Sequence, residues 1–388
     1  MPRLVIRLGV VAALLLQSGA LRAHDPSAYG GVFRSRDLGA TWLNADAGLF
    51  LNAALNVAVD PRDPARLLLG TDLGLMRSES GGRAWAPEAP GLLVGAVFAL
   101  AFQADGAIGA GPGGVFRLGE GRWTGADAPA GAAPARAVAP GAEPGRVYLA
   151  GRSGLFTSKD GGQSFARAAG LPEAVEITGL AVVSQPREVV LAIADGALIA
   201  SDDGGRHWRA RSPDPAVGPL ETVALDPASP TRVWTAAAGR LYRSDDLGAN
   251  WRPVSGLLPE PSAAVRGIAA DPAAATLVVT TARGMYRSAD GGATWALKEG
   301  NLPIHLEAGP LVRDPGDART LYAVYSLMPY AEVWRTALEG SNLLARADPV
   351  SLAGGLAFLL LLMIAGGLLV RWLARRRLAG PLAPGSRS

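Results

Sequence analysis

Three arginines stand where short loops are expected to interrupt apolar runs: Gly151-Arg152-Ser153, Gly239-Arg240 and Ala282-Arg283-Gly284. The guanidinium fork grips carboxylates through paired donors, so three on equivalent loops would build an anion site. Asp72 and Asp195 fall on comparable loops. Tyr325 opens a terminal loop, 325–332, that also carries Tyr330 and Glu332. Arg152, Arg240, Arg283, Asp72, Asp195 and Tyr325 form the candidate ligand-binding set. The competing expectation is that the arginines are solvated or paired with Asp72, Asp195 and nearby glutamates, as surface ion pairs are common. Longer loops add Glu173, Glu176, Glu260, His305 and Glu307. Two carboxylates meeting from different loops could cleave a glycosidic bond by general acid–base work. No local motif pairs any two, so no catalytic residue is assigned. If the chain is an enzyme, a glycoside hydrolase is the expected kind.

Other chemistries are excluded more directly. The three histidines, at 24, 207 and 305, are scattered, and no His/Asp/Glu group has metal-ligand spacing. The chain has no cysteine, so thiolate sites and disulfides are absent. Gly111-Pro112-Gly113-Gly114 reads as a turn, not a phosphate cradle. Neither a cofactor nor a metal is expected. The formal charge is +3, but residues 1–23 hold three arginines and residues 371–388 five, with no acid in either. Removing those eight charges leaves 24–370 at −5, which argues against nucleic acid as a partner.

The elements that must carry these loops are short strands. Fifty Gly and 29 Pro in 388 residues suit many turns. One motif recurs as Ser35-Arg36-Asp37-Leu38-Gly39-Ala40-Thr41-Trp42, Ser158 to Phe165, Ser201 to Trp208, Ser244 to Trp251 and Ser288 to Trp295. A weaker copy, Ser78 to Trp85, has Ser80 in the Asp position, and a copy shortened by two residues ends at Trp123. The closing aromatics, at 42, 85, 123, 165, 208, 251 and 295, recur every 38 to 44 residues, a propeller-blade period. Ahead of each motif comes a Gly-opened apolar strand such as Gly31-Val32-Phe33-Arg34. Ahead of that lie two strands joined by an Asp-Pro turn, as at Asp60-Pro61, Asp226-Pro227, Asp271-Pro272 and Asp314-Pro315. Strands A, B and C, the motif, and a short strand D make a four-stranded blade. The motif acids Asp37, Asp160, Asp203, Asp246 and Asp290 are expected to accept N–H groups of their own turn. The glycines supply φ > 0. Trp42, Trp85, Trp208, Trp251 and Trp295 are expected to pack between blades.

The pattern Ser-x-Asp-x-Gly-x-Thr-Trp resembles the Asp-box, or BNR, repeat of sialidases, sortilin-type receptors, some xyloglucanases and photosystem II stability/assembly factors. The resemblance covers about residues 30 to 336. It implies an all-β, seven-bladed β-propeller of four-stranded blades. Residues 311–313 and 320–324 supply strands A and B that the first motif lacks, so they are expected to close the ring with the N-terminal C and D strands. Eight blades would result if Val333-Trp334-Arg335 began its own hairpin. Motifs and Asp-Pro turns then share one face, and the candidate loops the other. The three arginines superficially resemble a sialidase triad, but the Arg-Ile-Pro motif and a Tyr–Glu nucleophile pair are missing. Likeness to the assembly factors implies a non-catalytic binding scaffold for a membrane protein complex. The alternative is an exported glycan-binding protein or glycosidase.

The ends suggest export and anchoring. Arg3 and Arg7, the apolar run 8–16 and Ala23 read as a signal peptide over 1–23. The propeller is expected over 24–345. Residues 350–370 carry no charge and could span a bilayer, and Arg371, Arg375, Arg376 and Arg377 follow. The positive-inside rule puts the tail in the cytoplasm and the propeller in the periplasm or outside the cell. Protein partners at that membrane are expected.

Overall fold

The computed structural model describes residues 29–340, apart from 47–48, 214–216, 227–228 and 274. They form seven four-stranded antiparallel sheets arranged as the blades of a ring. Blades 1 to 6 occupy 54–88, 99–125, 135–167, 177–210, 222–257 and 265–297. Blade 7 is composite. Its A and B strands are Glu307–Arg313 and Leu321–Ser326, and its C and D strands are Gly31–Ser35 and Leu43–Asn44. Gly31–Ser35 pairs with Leu321–Ser326 in unbroken antiparallel register, from Gly31 opposite Tyr325 to Ser35 opposite Leu321. The ring therefore closes with seven blades, not eight, and its two ends protect each other's strand edges.

Each A strand lies beside those of its neighbours around the axis, and each D strand is outermost. The B strands explain the apolar runs in the sequence. Val189–Ala194 and Leu321–Ser326 are buried at every position, because each blade packs between two others. The core accordingly lies between blades: Tyr148 and Ala150 of blade 3 cluster with Val190 and Ala192 of blade 4.

The Ser-x-Asp hairpins join C to D in five blades with the same bonds. The Ser35 hydroxyl donates to Asp37 Oδ1 (2.7 Å) and accepts the Gly39 N–H (2.8 Å). Asp37 then accepts the Thr41 N–H (2.9 Å) and hydroxyl (2.7 Å). The serine, 1–2% exposed in each copy, is the buried hub that the Asp-centred expectation missed. In blade 1, Ser80 Oγ accepts the Ala84 N–H in place of a carboxylate. In blade 2 the hairpin shrinks to Glu120-Gly121, both at φ > 0, between paired Gly119 and Arg122. Burial by itself would raise the Asp37 and Asp160 carboxyls. The bonds from Thr41 or Ser164 and from the box serine outweigh it and bring both to about 2. At Asp290, the Thr294 hydroxyl and N–H lead, again to about 2.

The indoles tie neighbouring blades. Trp85, Trp208 and Trp251 donate to the carbonyls of Ala45, Ala169 and Arg211 in the preceding blade connection (2.8, 3.1 and 2.6 Å). Trp42, 2% exposed, packs on Val278 and Met285 of blade 6, and Trp295 packs on the blade 5–6 cluster.

Two expectations are corrected. Val333-Trp334-Arg335 is not a strand but part of helix α1, Tyr330–Glu339. Its buried residues Tyr330, Val333, Trp334 and Ala337 follow helical i, i+3, i+4, i+7 spacing. Tyr325 is not on a loop. It lies in the blade 7 B strand, 1% exposed, with its ring edge-on to Phe33 at 5.3 Å. Among the described residues no helix is long and apolar enough to cross a membrane. The segments 1–23 and 350–370 lie outside the described residues.

Candidate binding face

The motif hairpins and A–B turns share one face of the ring, the box face. Gly161 N–H bonds to Gly145 O, and Gly291 N–H to Ala275 O, across those paired turns. The B–C and D–A connections make the opposite loop face, where α1 also lies.

At the loop-face mouth of the channel, β-bulges set the key side chains. Register shifts between Ala135 and Ala137, and between Val265 and Gly267, leave Arg136 and Arg266 as extra residues at the starts of their A strands. A bulge re-aims the inserted side chain. Arg136 reaches from blade 3 and stacks on Trp334 (4.2 Å), while Arg266 reaches from blade 6 and stacks on Tyr330 (4.9 Å). Those two rings are four residues apart and share one face of α1. Phe98 meets the Trp334 ring edge-on at 5.4 Å. The buried Tyr330 hydroxyl donates to Ala54 O (2.6 Å). The helix is thus pinned across the mouth by cation–π contacts from two blades.

The carboxylates here are all engaged. Glu176 pairs with Arg136 (2.7 Å). Glu307 pairs with Arg266 (3.2 Å) and accepts the Tyr330 N–H (2.8 Å). Glu221 accepts the Val265 N–H (2.6 Å). Desolvation lowers Arg136 below its ordinary value against the Glu176 charge, and the Arg266 charge adds to the lowering. The Nε of both arginines is buried without a partner.

The sequence-derived candidates are held by separate contacts. Arg152, on the exposed blade 3 B–C loop, lines a cleft of about 450 Å³ between blades 2 and 3, with Phe116, Pro112 and Pro129 among its walls. Arg240 Nη1 reaches outward to Val254 O (3.0 Å) on the D strand of blade 5. Arg283 pairs with Glu260 at 3.5 Å. Asp195, with Gly196, forms a two-residue turn at φ > 0, and its carboxylate accepts the Glu176 N–H (3.0 Å). Burial raises the Asp72 carboxyl above its ordinary value, against bonds from its own backbone, Ala53 and Asn52. No group of three metal-ligating side chains occurs among the described residues. Sequence reasoning missed Arg136, Arg266 and Trp334. The signal for the two arginines was an arginine as the second residue of an otherwise apolar A strand.

The chain matches no family model and no curated protein. Among solved structures it is similar to YCF48 bound to D1 peptide, at 17% identity over 78% of this chain and 96% of that one, with TM-score 0.54. YCF48 from Cyanidioschyzon merolae gives 15% identity, 72% and 98% coverage, and TM-score 0.56. A GH74 xyloglucanase from Xanthomonas campestris gives 19% identity over 71% of this chain and TM-score 0.55. The chain spans about half of that enzyme, 53%. At these identities the likeness is one of fold.

Proposed function

We propose that this chain is a non-catalytic binding scaffold, exported and held at a membrane, whose loop face receives a protein segment of a membrane complex. The observation that carries the reading is the state of the channel mouth. A glycosidase needs two carboxylates facing one bond at ~5–10 Å. Here Glu176, Glu221 and Glu307 are each spent on an arginine or a backbone N–H, and α1 lies across the entrance. On the loop face a cleft beside Arg152 stays accessible, with prolines, alanines and Phe116 for apolar contact and one guanidinium for a carboxylate. YCF48 has been seen with a D1 peptide, which supports peptide capture by a propeller of this fold. The uncharged run 350–370 supports the anchor.

The test is purification of the tagged full chain from membranes in mild detergent, beside Arg152→Ala. A stoichiometric protein retained by the parent and lost by the variant is the expected result. No retained protein, together with turnover of a glycan substrate, would overturn the scaffold in favour of a glycosidase.

A further inference from the structure

The box repeat is broken in blade 1, and arginines without acids stand at the break. Five boxes carry an aspartate as their third residue, but blade 1 has Ser80, whose hydroxyl accepts the Ala84 N–H without bringing a charge. Ser80 lines a cleft of about 510 Å³ on the box face, between blades 7 and 1, with Arg34, Arg36, Arg83, Asp314 and Asp317 in its walls. Arg34 belongs to the C strand of blade 7, Arg36 to the box of blade 7 and Arg83 to the box of blade 1. Closure of the ring is what brings the three together.

Elsewhere on this face arginines meet carboxylates. Arg117 pairs with Asp105, Arg146 with Glu143, and Arg232 with Asp226 and Asp245. Arg34, Arg36 and Arg83 form no ion pair among the described residues. Arg34 Nη1 donates to Gly81 O across the seam (2.8 Å), and Arg83 Nε donates to Ser80 O (3.0 Å). Arg36 and Arg83 are exposed. The two acids of the walls are engaged within the blade 7 A–B turn. Asp314 accepts the Gly316 N–H (2.8 Å), and Asp317 accepts the Arg319 N–H (2.9 Å) and the Thr320 hydroxyl (2.7 Å). The Thr320 and Arg319 bonds, with the charges of Arg319 and Arg36, hold Asp317 below its ordinary value. Acids next to the lining are also engaged: Asp37 in its own box, Asp63 by the Ala65 N–H and Glu79 by Arg77. Three guanidinium groups against two turn-bound carboxylates leave the walls net positive.

We propose that this blade 7–blade 1 cleft binds a small phosphate monoester, with Arg34, Arg36 and Arg83 as the donors to its phosphoryl group. Guanidinium forks suit carboxylate and phosphate alike. Their number favours phosphate, because a carboxylate offers two oxygens, whereas the monoester offers three and a charge of about −2. The cleft falls in the range of small-molecule sites, ~300–1,000 Å³, and exceeds a phosphoryl group alone, so it has room for the esterified part. The ligand bridges the composite blade to blade 1 and so stabilises the closed ring. This site is separate from the loop-face cleft proposed to receive protein.

The test is calorimetric titration of the full chain in mild detergent at fixed ionic strength, since screening would otherwise vary. The probes are inorganic phosphate, glucose 6-phosphate and glucuronate, the last carrying a carboxylate where the second carries phosphate. Glucose 6-phosphate is expected to bind about tenfold more tightly than glucuronate. Arg36→Gln and Arg83→Gln, each removing a charged donor, are each expected to weaken it by about tenfold. Ser80→Asp restores the carboxylate of the other boxes. It is expected to abolish binding without lowering the urea midpoint, which separates a lost site from a lost fold. Arg206→Gln, in the box of blade 4, should bind as the parent does. Failure of the parent to bind either phosphate probe, or unchanged binding by Ser80→Asp, would overturn the site. Glucuronate binding as tightly as glucose 6-phosphate would overturn the phosphate assignment.

Discussion

The box face and the loop face are built from opposite ends of the same strands, yet they solve different problems. On the box face five of the seven hairpins repeat one bond set. A buried serine feeds an aspartate, the aspartate caps the turn, and an aromatic docks on the preceding blade. The motif carboxylates are consumed within their own turns. On the loop face no one bond set runs through the connections, although the B–C turns at Thr71 and Thr281 share one. Arginines stack on helix rings, a cleft stands open beside Arg152, and apolar tips face outward. The difference teaches that the repeat stabilises the ring at one face and frees the other to vary, the division expected of a rigid scaffold with functional loops.

Breaking the box side should cost the most stability. Trp42→Ala removes a nearly fully buried indole from the blade 6–7 joint and is expected to cost ~3–5 kcal/mol, read as a lower urea midpoint. Ser158→Ala strands the Gly162 N–H and is expected to cost ~1–3 kcal/mol. Asp160→Ser should cost less than Asp160→Ala, because Ser80 already performs that capping role in blade 1.

The same carboxylates set an acid limit. The folded values of Asp37, Asp160 and Asp290, about 2, lie below their ordinary value of 3.8. A depressed carboxyl contributes stability that is present above its unfolded value and lost as pH falls through the folded one. The urea midpoint should therefore hold down to about pH 4 and fall between about pH 4 and pH 2. A midpoint unchanged at pH 2 would remove the electrostatic account of the hairpins. The smallest stability effect is expected on the other face: Arg152→Ala should stay within ~0.5 kcal/mol of the parent while weakening partner capture.

This asymmetry also governs what the sequence made legible. The box face was readable because Ser-x-Asp-x-Gly and its aromatic return at a fixed period, and the missing A and B strands of the first motif foretold the closure at Gly31–Ser35. Helix α1 was missed because Val333-Trp334-Arg335 mimics the end of a C strand. Only the wider window, Tyr330 to Ala337, displays the helical spacing. Tyr325 was misplaced because a strand buried between blades carries no polar alternation to mark its end. The meeting of Arg136 and Arg266 depends on two bulges and on closure of the ring, so no local pattern announces it.

Binding is proposed to belong to the loop face. It is tested most directly by placing a photo-crosslinking residue in the full chain, in native membranes, at Arg152 or at Gln163 on the box face. A discrete crosslinked protein is expected from position 152 and none from position 163. Crosslinking from 163 alone, or equally from both, would contradict it.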